Sequence, residues 1–308
     1  MGNITKIAKF ILILLSDNPE TLYIFFPIFL LMYLNSLFVN LLIIFLVIAD
    51  SQLHTPMYFF LGNLAFLDMS YSSVTAPKML SDFITMNTAI SFPACIAQIF
   101  FFIYFASSEV LLLAAMSYDR YVAICHPLHY IEIMSWKVCG QFSFIVWVFG
   151  FFYSLVHTVC SLRLTFCESN IIHNFFCDLP HLFQISCNDP FINFLVTLTL
   201  GGALGLVAFS LTFFPYTRIF VAIIRIRTND GKLKAFSTCT SHLSVVFIFY
   251  ASLIFIYLVP TTSSFLTINK LVSVIYAVIN PLLNPLIYSV RNKDIKSALR
   301  RQVHLVTL

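Results

Sequence analysis

The sequence predicts an all-α membrane protein, a seven-transmembrane helix bundle followed by a short cytoplasmic amphipathic helix. The 308-residue chain is 60% hydrophobic and only 10% charged, with a mean hydropathy of +0.92, far from the charged surface that a soluble domain carries. Seven apolar stretches have about the 20 residues that cross a bilayer core of roughly 30 Å. They lie at Tyr23–Ile48, Met57–Leu80, Pro93–Ile124, Val138–Val159, Phe191–Ile224, Ala235–Val259 and Leu271–Val290.

The basic residues predict the orientation of these spans. With the amino terminus outside, most of the 17 Lys and Arg residues fall at cytoplasmic helix ends, as the positive-inside rule requires. We therefore expect an extracellular segment 1–22, a bundle 23–290 and a cytoplasmic tail 291–308 that holds a basic amphipathic helix on the membrane lipids. Asn3-Ile4-Thr5 is then a glycosylation sequon on the outer side. The net charge of +4 reflects topology and not a nucleic-acid partner.

The eight cysteines divide between the two predicted sides. Cytoplasmic thiols stay reduced, whereas disulfides persist outside, where four cysteines allow three pairings. The His and Cys residues of the loop between spans four and five match no tight zinc-ligand spacing, so a disulfide-stapled lid is predicted there. The cytoplasmic cysteines are Cys125, Cys139 and Cys239, the outer four are Cys95, Cys167, Cys177 and Cys187, and Cys160 is left over.

A charged triplet closes the third span at its predicted cytoplasmic end. Asp119-Arg120-Tyr121 follows a long apolar run. Asp and Arg each cost roughly 2.5–3.5 kcal/mol at a helix centre, so adjacent ones at a helix end indicate an interface and a use there. The predicted use is a switch.

Two carboxylates lie within the spans, Asp68 in the second and Glu109 in the third. Glu109 and Arg120 are eleven residues apart, about three turns, so they share a helix face that must look into the bundle. Ionisable groups at this depth pair with something and mark a pathway or a switch. With Asn284 nearby, the two acids suit a hard cation, or one of them is protonated and simply hydrogen-bonded.

The seventh span contains Asn284-Pro285-Leu286-Ile287-Tyr288, an amide and a phenol one turn apart around a proline. A kinked helix lined with polar groups can hold two arrangements, as a switch requires. On the inner half of the sixth span, Lys234 and His242 are eight residues apart on roughly one face and are candidates for a hinge.

Five segments together resemble the olfactory receptors, a family of rhodopsin-like G-protein-coupled receptors. The resemblance covers essentially the whole chain. It implies a multi-pass plasma-membrane receptor without enzymatic activity, an odorant entering from outside, and a stimulatory heterotrimeric G protein that raises cyclic AMP. One departure is Pro215, which stands where the family has Ser before Tyr216. The segments are LHTPMYFFLGNLAFLD (53–68), PKML (77–80), MSYDRYVAICHPLHY (116–130), KAFSTCTSH (234–242) and NPLLNPLIYSVRNKDIKSAL (280–299).

The same resemblance implies roles for individual residues. A disulfide joins Cys95 to Cys177, which leaves Cys167 with Cys187. The resemblance implies no cofactor other than a possible sodium ion at Asp68, Glu109 and Asn284. The G-protein switch falls on Asp119, Arg120, Tyr121, Tyr216, Lys234, His242, Asn284, Pro285 and Tyr288.

A ligand site is predicted in the outer half of the bundle. Residues four to five turns before Arg120 lie at pocket depth on the third helix, and the resemblance supplies those opposite. The set is nearly all apolar and carries no charge, so the ligand is expected to be small, neutral, hydrophobic and volatile. It comprises Phe102, Ile103, Ala106 and Ser107, with Gly201, Leu204, Tyr250, Leu253, Tyr257, Val274 and Ala277. A site higher up, under the loop near His181, is the alternative.

Two other classes fit the sequence less well. A membrane transporter would show internal repeats and broken helix pairs, which the halves of this chain lack. An intramembrane enzyme could use Asp68 and Glu109 as acid and base, but no nucleophile or His-rich motif accompanies them.

Overall fold

The computed structural model describes residues 8–16, 18–167, 169–225, 228–258 and 266–306. In this part of the chain we number the long helices α1 to α8. They are α1 (Pro19–Ala49), α2 (Pro56–Thr85), α3 (Phe92–Cys125), α4 (Trp136–Ser161), α5 (Phe191–Arg225), α6 (Asn229–Leu258), α7 (266–291) and α8 (Lys293–Val306). Helix α7 consists of Leu266–Val274, a π-helical turn at Ile275–Ile279, and Asn280–Arg291; shorter helices are Ser51–Leu53, Pro127–His129, Tyr130–Ile133 and Leu179–Gln184.

Caps and prolines set the starts of α1 and α3. The Asn18 side chain accepts a hydrogen bond from the Glu20 amide (2.9 Å), and Pro19 opens α1. Ser91 caps α3 ahead of Pro93. Both arrangements satisfy helix-end amides and place proline where its missing N–H costs nothing.

Five described helical segments are long and apolar enough to cross a membrane by length and composition: Pro19–Ala49, Phe92–Cys125, Trp136–Ser161, Phe191–Arg225 and Ile268–Tyr288. Helix α6 adds a shorter apolar segment, Cys239–Phe255. Helix α2 has 30 residues but carries Asp68, Lys78 and Asp82, which lower its hydropathy. The described parts of all seven predicted spans lie on α1 to α7, so the predicted all-α bundle is confirmed.

A three-stranded sheet covers one end of the bundle, where the sequence predicted no strand. It consists of β1 (Lys9–Leu12), β2 (Ala89–Ser91) and β3 (Ile171–Ile172), in the order β2-β1-β3. Strand β1 runs antiparallel to β2 and parallel to β3. Phe10 and Leu12 turn inward and are buried. We call the sheet and the α4–α5 loop (162–190, residue 168 excepted) the lid, and the opposite end of the bundle the α8 end.

Two apolar clusters form most of the core. The larger fills the bundle between α1, α2, α3, α6 and α7, and the smaller lies beneath the lid. In the smaller cluster the Phe10 ring meets the Phe166 ring edge-on, with centroids 5.0 Å apart. Described residues before the first span, Phe10 and Leu12 among them, therefore belong to the packed structure.

Candidate functional site

A polar triad lies buried in the middle of the bundle. The Asn284 side-chain amide donates to Asp68 Oδ1 and to Glu109 Oε1, at 2.9 Å each. Asp68 Oδ2 is also buried and has no hydrogen-bond partner among the described atoms. One amide therefore holds one oxygen of each acid, and the remaining oxygen of Asp68 can take a proton or a cation.

Pro285 explains a second polar contact on α7. Because proline has no N–H, the carbonyl four residues earlier, that of Pro281, lacks its helical donor. Two side chains of α1 replace it: Ser36 Oγ and Asn40 Nδ2 each donate to Pro281 O at 3.1 Å. The sequence signal that points to this contact is Asn40, an amide side chain within the apolar first span.

The charged triplet lies at the α8 end. The Arg120 guanidinium forms an ion pair with Asp119, and the Tyr130 hydroxyl donates to Asp119 Oδ1 at 2.7 Å. Tyr130 begins the short helix after α3 and was not singled out from the sequence. The Tyr121 hydroxyl instead lies 3.2 Å from the His126 ring. Asp119 is thus held from two directions while it neutralises Arg120.

The predicted switch residues of α5, α6 and α7 meet beside this pair. The Tyr216 hydroxyl hydrogen-bonds His242 Nδ1 at 2.7 Å. The rings of His242 and Tyr288 have centroids 6.4 Å apart. Helix α5 continues through Pro215 from Phe191 to Arg225, so this departure from the family pattern does not end the helix. The side chain of Lys234 lies outside the described residues.

The predicted ligand layer is occupied by an aromatic cluster. Phe102 packs against Tyr71 (4.8 Å between centroids), Phe176 of the lid (4.7 Å) and Tyr276 (5.6 Å). Ala106, Tyr250 and Ala277 belong to the same core cluster, and Leu253 and Val274 pack against it. Ile103 differs, since it packs in the cluster beneath the lid. Aromatic rings of α2, α3, α7 and the lid therefore meet in this layer.

Two residues of the predicted ligand layer, Ser107 and Gly201, lie against α4. Ser107 Oγ donates to the carbonyls of Ile103 (2.7 Å) and Tyr104 (3.1 Å), and it lies 3.3 Å from the position of a Cβ built at Gly150. A Cβ built at Gly201 would lie 3.4 Å from the Tyr153 hydroxyl of α4. Leu204 is half-buried. The side chain of Tyr257 and all of Asn3 lie outside the described residues.

Two disulfides hold the lid. They join Cys95 of α3 to Cys177 and Cys167 to Cys187. The Cys177 amide donates to Gln98 Oε1 at 2.8 Å, which fixes the loop to α3 a second time. In the described residues Cys125, Cys139, Cys160 and Cys239 are free. No group of three or more metal-binding side chains occurs in the described ranges.

Two titratable lid residues are buried. Burial raises the pKa of Asp178 to about 6, against the hydrogen bond from the Leu179 amide that favours its charge. Burial, and then the charges of His173 and Lys270, lower the pKa of His181 to about 4. Both groups are therefore neutral in the lid over part of the acidic range.

Helix α8 is anchored to the segment that joins α1 and α2. Arg301 donates two hydrogen bonds to Asp50 Oδ2, at 2.8 and 2.6 Å. The Tyr58 hydroxyl contacts Asn292 Oδ1 (3.1 Å) and Asp294 Oδ2 (2.9 Å). Ile295 and Ala298 of this helix are buried. Apolar and polar contacts together fix the helix at this end of the bundle.

Seven apolar helices, a buried acid pair, a charged pair at one end and a disulfide-held lid at the other define a membrane receptor. The sequence profile described as olfactory receptor matches residues 29–305. Olfactory receptor 5G9 of Mus musculus is 48% identical over 301 residues, covering 98% of this chain and 96% of the relative. Olfactory receptor 5AR1 of Mus musculus is 46% identical (98% and 97% covered), and olfactory receptor 5B12 of Homo sapiens 45% (98% and 96%).

The chain belongs to the olfactory receptor family. It is accordingly a multi-pass plasma-membrane protein and not an enzyme. The resemblance predicted from the motifs is confirmed.

Proposed function

We propose that this receptor binds a small, neutral, hydrophobic and volatile odorant within the bundle and activates a stimulatory heterotrimeric G protein, raising cyclic AMP. The main support for this proposal is the Asp119–Arg120 ion pair, which lies beside the Tyr216–His242 hydrogen bond at the α8 end. A ligand that binds better to a state with this pair open shifts the population toward that state. Arg120, freed from Asp119, then receives a polar group of the G protein.

The test replaces Arg120 and follows cyclic AMP. In cells that express the chain, a panel of volatile odorants identifies agonists, and Arg120→Ala is expected to abolish the response at equal surface expression. Arg163→Ala, an exposed arginine of the lid, is the control and is expected to signal normally. An unchanged response of Arg120→Ala at equal surface expression would contradict the mechanism.

A sodium ion at Asp68, Glu109 and Asn284 is part of the same proposal. Buried carboxylate and amide oxygens suit a hard cation, and Asp68 Oδ2 has no hydrogen-bond partner among the described atoms. A cation there stabilises the inactive arrangement of α2, α3 and α7. Sodium is expected to lower basal nucleotide exchange in membranes of the parent but not of Asp68→Asn. Equal sodium responses in both would favour a shared proton instead.

The orientation is proposed from the same charge pattern, with the amino terminus extracellular, the tail 291–308 cytoplasmic, and Asn3 glycosylated. Glycosidase treatment is expected to shift the mobility of the parent but not of Thr5→Ala. Antibody access to an amino-terminal epitope on intact cells tests the orientation independently of glycosylation.

A further inference from the structure

Two polar atoms on facing helices lack hydrogen-bond partners. His157 on α4 is 3% exposed, and its Nε2 is buried without a partner among the described residues. Thr197 Oγ1 on α5 is also buried without one. Hydroxyls elsewhere on these helices bond the carbonyl four residues back, as Thr158 (2.9 Å) and Thr199 (2.7 Å) do. Thr197 does not form this bond, and burying a hydroxyl without a hydrogen-bond partner costs free energy.

The register of the two helices places these atoms at the same level. Asn193 of α5 donates to the Cys160 carbonyl of α4 at 2.7 Å. Two turns further along α5, a Cβ at Gly201 would lie 3.4 Å from the Tyr153 hydroxyl, two turns back along α4. His157 and Thr197 are the residues midway between these contacts. Gly201 has no side chain at this contact, and the Tyr153 ring flanks His157 with centroids 4.6 Å apart.

We propose that His157 and Thr197 form a polar subsite that binds a hydroxyl group of the ligand. A hydroxyl both donates and accepts, so it satisfies the imidazole nitrogen in either tautomer together with the threonine. An ether only accepts, and an alkane does neither. This inference rests on the proposed odorant-binding function and makes its ligand more specific: an alcohol or a phenol, anchored between α4 and α5.

The test uses primary alcohols and phenols as probes, with the methyl ether of each as a matched compound. Thr197→Val and His157→Phe remove the polar atoms and keep the approximate shape. Each is expected to raise the alcohol concentration for half-maximal cyclic AMP about tenfold, the equivalent of one hydrogen bond, and to change ether potency less, because an ether can only accept. In the double variant, the loss of alcohol potency is expected to be smaller than the sum of the two single losses in free energy, because both groups bind the same hydroxyl. Thr199→Val is the control, since its hydroxyl already bonds the Leu195 carbonyl.

A second readout separates this subsite from signalling. Probe alcohols are expected to raise the melting temperature of the detergent-solubilised parent, and not of Thr197→Val. If they do so without raising cyclic AMP, the subsite is supported and the proposed coupling fails. If alcohols signal equally well through the parent, Thr197→Val and His157→Phe, the subsite is wrong and the receptor function stands. Stabilisation by ethers but by no alcohol or phenol would also overturn the subsite.

Discussion

At the scale of single residues, several of the buried carboxylates that the structure describes form an ion pair with a basic side chain. Asp119 is the clearest case, because it pairs with Arg120 and accepts a hydrogen bond from Tyr130 at 2.7 Å. The triplet was evident in the sequence, but Tyr130 was not, since nothing in the spacing shows that a short helix after α3 returns to α3. The Tyr130 hydroxyl therefore helps to fix Asp119 in the closed state, the state in which Asp119 and Arg120 are paired.

Removing that hydroxyl should weaken the closed state. Tyr130→Phe deletes one charge-assisted hydrogen bond, worth about 1.5 kcal/mol, and shifts the equilibrium roughly tenfold toward the open state. We expect higher basal cyclic AMP at equal surface expression. Tyr23→Phe, on the exposed face of α1, is the control. Basal signalling that stayed at the parent level in Tyr130→Phe would show that this bond does not hold the switch.

At the scale of elements, the close approach of helices depends on glycines at some contacts and on polar side chains at others. Gly150 lets α4 approach α3, and Ser36 with Asn40 joins α1 to the freed carbonyl of α7. Gly140, on the same helix as Gly150, has nothing within 4 Å of an added Cβ. The two glycines therefore form a matched pair for testing the α3–α4 contact.

An alanine at each glycine should have opposite effects. At Gly150 the added Cβ would overlap the Ser108 hydroxyl and lie 3.2 Å from the Tyr104 carbonyl, which is backbone and cannot turn aside. We expect Gly150→Ala to destabilise the receptor by about 1–3 kcal/mol. Gly140→Ala should stabilise it slightly, by up to about 1 kcal/mol, through helix propensity. Melting temperatures in detergent measure both, and equal values for the two variants would contradict the packing at Gly150.

Most of the helical fold was predictable, because span length and hydropathy depend only on local sequence. The sheet was not, since Phe10–Leu12 is too short to carry a period and its partners lie far along the chain. The polar triad was predicted at Asp68, Glu109 and Asn284, whose spans leave few places for a charge. The direction in which the Ser107 side chain points was not predictable, because the rotation of α3 about its own axis depends on how α4 packs against it.

At the scale of the whole molecule, three polar layers follow one another from the lid to the α8 end: Asp178 with His181, the triad, and the Arg120 pair. The lid is tied to α7 by Asn174, which donates to Ser273 at 3.3 Å. The segment that follows β1 is tied to the same helix by the Lys270 ammonium, which donates to the Leu14 carbonyl at 2.9 Å. A change in the lid can therefore reach the helix that contains the polar triad.

Acidification should loosen the lid through His181. Its folded pKa of about 4 lies below the ordinary 6.5, so the neutral form stabilises the fold above pH 6.5, and that stability is lost as pH falls toward 4. Asp178, with a raised pKa of about 6, acts in the opposite direction: its contribution is present below the ordinary 3.8 and lost as pH rises toward 6. Asp178 therefore offsets part of the loss.

We expect the melting temperature of His181→Phe to fall less than that of the parent between pH 6.5 and 4. The melting temperature of Asp178→Asn should fall more steeply than that of the parent, because the carboxyl group that offsets the effect of His181 has been removed. Cys160→Ser, at a free cysteine outside the lid, should follow the parent curve. Identical curves for the parent and His181→Phe would show that His181 does not titrate across this range.

The middle strand of the sheet also fixes an order of assembly. Strand β1 precedes every helix that the structure describes, yet its partners β2 and β3 follow α2 and α4. During synthesis the ribosome releases β1 first, and β1 must wait until about half of the chain has been made before both neighbours exist. An affinity tag fused ahead of residue 9 is consequently attached to a structural strand. If such a fusion gives a poor yield, slow formation of this sheet is therefore the first explanation, ahead of any defect in the helices.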